Sequence, residues 1–114
     1  MSHALDTLIY EVNISVPKDK GDEYLDWLRS FARNTCDRVD GFLSVNVFSQ
    51  PKPAGLFWLS EEGCSKIYFT IHYTIQSQDH LEAYLQNEQP EIAKAEFERF
   101  HYLVTSRRVL KVLM

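Results

Sequence analysis

Apolar and polar residues alternate from Thr7 to Val16, with Leu8, Tyr10, Val12, Ile14 and Val16 on one side and Ile9, Glu11, Asn13 and Ser15 on the other. A period of two is that of a strand with one face turned to a core. Pro17 ends it, since proline has no amide to donate. The period then lengthens: Tyr24, Leu25, Leu28, Phe31, Ala32 and Thr35 recur at spacings of three and four, which predicts a helix capped by Asp19 or Asp22 and running to about Arg38. Asp40-Gly41 marks a turn. After it, Phe42 to Gln50 reads as a second strand, with Leu43, Val45 and Val47 opposed to Ser44, Asn46 and Phe48, stopped by Pro51 and Pro53.

A third strand spans Lys66 to Ile75, setting Ile67, Phe69, Ile71, Tyr73 and Ile75 against Tyr68, Thr70, His72 and Thr74. Ser77 suits a helix cap, and the helix runs to about Glu88 with Leu81, Tyr84 and Leu85 inward. Pro90 can begin another helical turn, after which Ile92, Ala93, Phe97 and Phe100 supply an apolar stripe. A final strand runs from Tyr102 to Leu113. The strand-helix pair of the first half thus recurs in the second, where Ile67 to His72 and Asp79 to Leu85 echo Ile9 to Ile14 and Asp22 to Leu28. The element order predicts an α+β, ferredoxin-like β-α-β-β-α-β fold over residues 1–114 as one domain, with a four-stranded antiparallel sheet and both helices on one face. The other face would carry Ile9, Phe48 and Tyr68 among polar residues, too apolar to sit in water, and a sheet-to-sheet dimer would cover it.

The long connection, Pro51 to Ser65, contains Leu56-Phe57-Trp58-Leu59, which is more apolar than a loop requires. It reads either as a strand extension or flap on its own domain, or as a partner surface.

Size and charge narrow the classes. At 114 residues the chain can bury a core unaided, so neither a disulfide nor a structural metal is needed. Cys36 and Cys64 have no ligand spacing, which fits idle thiols in a reducing compartment. No apolar run approaches signal-peptide or membrane-spanning length, so a soluble cytoplasmic protein without a membrane partner is expected. A net charge of −4 and a pI near 5.5 lack the positive field that draws proteins to phosphate backbones, which argues against nucleic acid.

Four stretches carry a resemblance: Ile9-Tyr10-Glu11-Val12-Asn13, Tyr24-Leu25-Asp26-Trp27-Leu28, Asp40-Gly41-Phe42-Leu43, and Thr105-Ser106-Arg107-Arg108-Val109-Leu110. On these the chain resembles the dimeric α/β-barrel superfamily, which includes antibiotic-biosynthesis-type monooxygenases and muconolactone isomerase-like proteins. Within it, the chain is similar to a family of small proteins known only as a domain of unknown function. The resemblance is nearly end to end, apart from Pro51 to Ser65. It implies a homodimer whose two sheets form a barrel, and no settled reaction.

Polar residues on a sheet covered from both sides must find hydrogen-bond partners. Those residues are Glu11, Asn13, Ser44, Asn46, Thr70 and His72. Glu11 and Asn13 share one side of the first strand as Thr70 and His72 share one side of the third, and these strands are central neighbours in the predicted topology. One carboxylate and one imidazole are the minimum for acid-base work, but such a cluster can equally fix register or dimer geometry without turnover. Arg107 and Arg108 are consecutive on a strand, so they point to opposite faces; either can serve a carboxylate, whether a ligand's or that of Glu11. Phase alone leaves open which one faces inward. His80, in the first turn of a helix, and His101, at a helix-to-strand junction, read as surface histidines. With no HExxH, no His-x-His and no glycine-rich phosphate loop, neither a metal nor a cofactor is expected.

Two readings of function remain. One is a non-catalytic dimeric module that holds a small, partly apolar organic ligand or only self-assembles. The other is a cofactor-independent or haem-degrading monooxygenase, as the resemblance allows; there Asn13 and His80 would take the roles of an Asn on the first strand and a His on the second helix. The Trp that haem-degrading members carry near the end of the third strand is absent, Tyr73 being the nearest aromatic, while Trp27 and Trp58 fall on a helix and a loop.

Overall fold

The computed structural model describes residues 7–50 and 66–114, so Leu56 to Leu59 and Cys64 lie outside the described residues. In chain order it contains β1 (Leu8–Pro17), α1 (Gly21–Arg38), β2 (Phe42–Ser49), β3 (Lys66–Ile75), α2 (Gln78–Asn87), α3 (Gln89–Arg99) and β4 (Val104–Lys111). The strands form one sheet in the order β2-β3-β1-β4, every neighbouring pair antiparallel. This is the ferredoxin-like β-α-β-β-α-β arrangement, with α2 and α3 sharing the place of the second helix.

The alternation on β1 has its expected consequence. Leu8, Tyr10, Val12, Ile14 and Val16 are buried with Phe69, Ile71, Tyr73 and Ile75 of β3 against Tyr24, Leu28 and Ala32 of α1 and Leu81 and Tyr84 of α2. Burying a side chain the size of Leu28 or Ile75 stabilises the fold by about 2 kcal/mol. Trp27 packs across Phe31 and Phe100, with ring centroids 4.6 and 4.9 Å away, and tethers α1 to the end of α3.

The structure departs from the sequence reading at several places. Neither Asp19 nor Asp22 caps α1: the chain enters through a 3-10 turn, Lys18–Lys20, and Lys20 at the cap makes no side-chain bond. Gly21 opens the helix packed so closely on Ile67 that an added Cβ would have to displace the end of that side chain. Asp22 instead sits in the first turn, where a negative charge favours the helix dipole. Leu43 is exposed, because a register irregularity between Phe42 and Ser44 turns it out of the alternation. Leu85 lies partly exposed at the margin of α2. Along α3, Phe97 is 63 % exposed, whereas Glu96 turns inward with Ile92 and Phe100, four residues to either side. The last strand starts at Val104, since Leu103 closes a turn back to the Phe100 carbonyl, and ends at Lys111. Ser77 does cap α2, accepting from the His80 amide at 3.3 Å.

Candidate functional site

The face of the sheet away from the helices carries a row of polar residues crossing all four strands. Glu11 on β1 stands opposite His72 on β3 and Arg108 on β4, and Asn46 on β2 stands opposite His72. In the next row Phe48, Thr70, Asn13 and Ser106 align in the same way. The strand period puts these side chains on one face, and the register puts them side by side.

Glu11 is the centre of the set, and only 5 % exposed. Its Oε2 accepts from Arg108 Nε at 2.6 Å and from Asn13 Nδ2 at 2.8 Å, while Oε1 lies 2.8 Å from His72 Nε2. The carboxyl is held at about 2, well below its ordinary 4.5, first by the Arg108 hydrogen bond and then by the one from Asn13, with burial opposing and His72 adding to the effect. An ionised carboxylate can only accept, so His72 carries its proton on Nε2. From Asn13 the network continues: its Oδ1 accepts from the Thr70 hydroxyl at 2.7 Å, and Thr70 Oγ1 accepts from Gln50 Nε2 at 2.7 Å. The Phe48 ring meets His72 edge to face at 5.1 Å.

Of the residues singled out from the sequence, Glu11, Asn13, Thr70, His72 and Arg108 therefore come together. Asn46 shares their face and is exposed, but no hydrogen bond joins it to them among the described residues. Arg107 is elsewhere: it pairs across from Val12, on the helix side of the sheet. The question that phase left open is thus answered by register, with Arg108 taking Glu11. A carboxylate held near 2 cannot exchange protons efficiently at neutral pH, where a useful base titrates close to the working pH. Glu11 thus fixes the positions of Arg108, Asn13 and His72.

A second polar group lies under the helices and was not foreseen. Glu96 of α3 accepts from the Tyr24 hydroxyl at 3.1 Å, and burial pushes its carboxyl up. The phenols of Tyr10, Tyr73 and Tyr84 are likewise pushed up, chiefly by burial, and Glu96 acts on each of them. The available signal was the four-residue spacing Ile92, Glu96, Phe100, which places an acid in the middle of an inward stripe.

His80 packs over Gly41 and contacts the Ser77 hydroxyl through Nδ1 at 2.7 Å and Asp40 through Nε2 at 3.5 Å. It stiffens the turn before β2. Asn13, on the open face of the sheet, and His80, on the helix side, are not brought together. Among the described residues no three His, Cys, Asp or Glu side chains converge as a metal set.

Similar folds occur among solved structures of low sequence identity. A dimeric ferredoxin-like protein from an uncultured marine organism is 9 % identical, with a TM-score of 0.73 over 96 % of this chain and 97 % of that one. A protein provisionally described as an antibiotic biosynthesis monooxygenase from Bacillus cereus is 9 % identical, with a TM-score of 0.63 over 96 % and 95 % of the two chains. A protein of the same provisional description from Deinococcus radiodurans is 13 % identical, with a TM-score of 0.66 over 94 % and 93 %. At such identities the likeness concerns the fold alone. A search of the curated proteins returns no match. The model of one family spans residues 7–113, from the first strand through the last, and the chain belongs to that family, the Domain of unknown function DUF4286.

Proposed function

We propose that the protein is a non-catalytic homodimeric module in which two sheets meet across their open faces, and that each subunit holds a small, partly apolar molecule. The observation that supports this reading is the pairing of Glu11: both carboxylate oxygens accept from donors of the same subunit, three in all, and the carboxyl is held well below its ordinary value. Glu11 held in this way is not itself the proton-transferring group at neutral pH. A polar row hydrogen-bonded around Glu11 can instead set the register of one sheet against another. The same face bears Phe48, 44 % exposed, along with Ile9, Tyr68 and Leu110, which gives a second sheet apolar area to bury.

The description of the marine neighbour as dimeric supports this arrangement. A cytoplasmic location and the lack of a nucleic-acid partner form part of the same reading; the net charge of −4 supports the latter. Sedimentation velocity at micromolar concentration should give a species of twice 13.4 kDa. A single subunit persisting there would sink the dimer.

A further inference from the structure

Two fixed charges and one imidazole lie on the open face of the sheet, and their arrangement bears on how that face meets another copy. The His72 side chain is 31 % exposed there. Its Nε2 faces Glu11 Oε1 at 2.8 Å and bears the proton of the neutral ring, so Nδ1 is the remaining basic nitrogen, with no hydrogen-bond partner among the described residues. A second proton therefore enters at Nδ1, on the far side of the ring from Glu11. Around the ring stand Glu11 on β1, Asn46 and Phe48 on β2, and Arg108 beyond Glu11 on β4. Of these only Glu11 and Arg108 are charged, and Glu11 stays ionised in weak acid because its hydrogen bonds hold it at about 2.

The balance of charge decides what the face can meet. The chain as a whole has 12 basic and 16 acidic residues and a net charge of −4. Across the paired residues of the open face, however, the fixed charges are one carboxylate and one guanidinium, Glu11 and Arg108, in contact at 2.6 Å. While His72 is neutral the face is neutral, and a neutral, part-apolar surface can be laid against a second copy of itself without like-charge repulsion. Protonating His72 leaves one positive charge in excess on each subunit. A twofold interface doubles that excess where water is excluded, and burying an unbalanced charge is costly.

We infer that the open face is a self-association surface gated by His72: two copies of the chain meet there while both imidazoles are neutral, and they separate when the imidazoles are protonated. The inference rests on the homodimer of the proposed function and adds the proton as its regulator. The sign follows from linkage. A proton that binds the separate subunit more tightly than the dimer drives the dimer apart as the pH falls. Imidazole is the side-chain group that ordinarily changes charge between pH 5 and 8, which sets the range for the test.

Sedimentation velocity over a dilution series, at pH 7.5 and pH 5.5 and constant ionic strength, tests it. The parent should form a species of twice 13.4 kDa at pH 7.5, and its dissociation constant should be at least tenfold higher at pH 5.5 with circular dichroism unchanged. His72→Gln offers Glu11 an amide donor but takes up no proton, so its dimer should be equally tight at both pH values. His101→Gln, at an exposed position just past α3, should respond as the parent does. In the parent itself, dilution calorimetry at pH 6.5 in buffers of different ionisation enthalpy should show proton uptake on dissociation. A dimer as tight at pH 5.5 as at pH 7.5, a response that survives His72→Gln, or dissociation without proton uptake would overturn the gate and leave the dimer standing. A single subunit at pH 7.5 would overturn both.

Discussion

Glu11 loses its charge only in strong acid, because Arg108, Asn13 and His72 all donate to it. Its folded value of about 2 lies below the ordinary 4.5, so the stability it contributes is complete above about pH 5 and disappears as the pH falls toward 2. Arg108 is two-thirds exposed and water screens the pair, so the loss should be about 1–2 kcal/mol, less than a buried pair would show. Urea midpoints at fixed protein concentration between pH 7 and pH 3 should show it, and Glu11→Gln should flatten that acid limb. Glu96 behaves in the opposite sense. Burial raises its pKa, so its contribution is greatest below about pH 4.5 and is lost as the pH climbs through the raised value. Glu96→Gln keeps an acceptor for Tyr24 and removes the buried charge. It should therefore be more stable than the parent at pH 7.5 and no better at pH 4, and an advantage that persists at pH 4 would contradict this account.

Among the elements, the turn from α1 into β2 is the most constrained. Gly41 has φ +86°, a conformation that costs other residues about 1–2 kcal/mol, and a Cβ there would strike the His80 ring. The same turn accepts the Gln76 amide through the Gly41 carbonyl, which ties the end of β3 to the start of β2. Gly41→Ala should lower the stability by about 2 kcal/mol in thermal or urea unfolding. His80→Ala alone should have a smaller effect, since Ser77 still accepts from the backbone amide. If His80→Ala made Gly41→Ala harmless, the clash and not the backbone would be the main cause.

At the scale of the whole molecule, the open face of the sheet is the feature with the widest consequence. Its polar centre is hydrogen-bonded within one subunit, so the proposed dimer would draw on the apolar flank around Phe48. Phe48→Lys sets a charge on that flank and leaves the helix-side core untouched. It should shift the sedimentation equilibrium at least tenfold toward the single subunit, with circular dichroism unchanged. A variant that remains fully dimeric would move the interface elsewhere.

The order of the elements and the facing of β1, β3 and α1 were legible in the sequence, because periods of two and 3.6 follow from local backbone geometry. So was the pairing of Glu11 and Asn13 with His72 and Thr70, since the predicted topology made their strands central neighbours. Two features were not legible: the outward turn of Phe97, and which of the oppositely facing Arg107 and Arg108 meets Glu11. Each depends on how far a strand or helix slides against its neighbour, and Arg108 meets an acid 97 positions away in the chain. Local periodicity by itself determined which residues share a face. Register and helix docking decided which of them meet, because those contacts are stabilised by packing between distant segments, whose offset no short window of sequence contains.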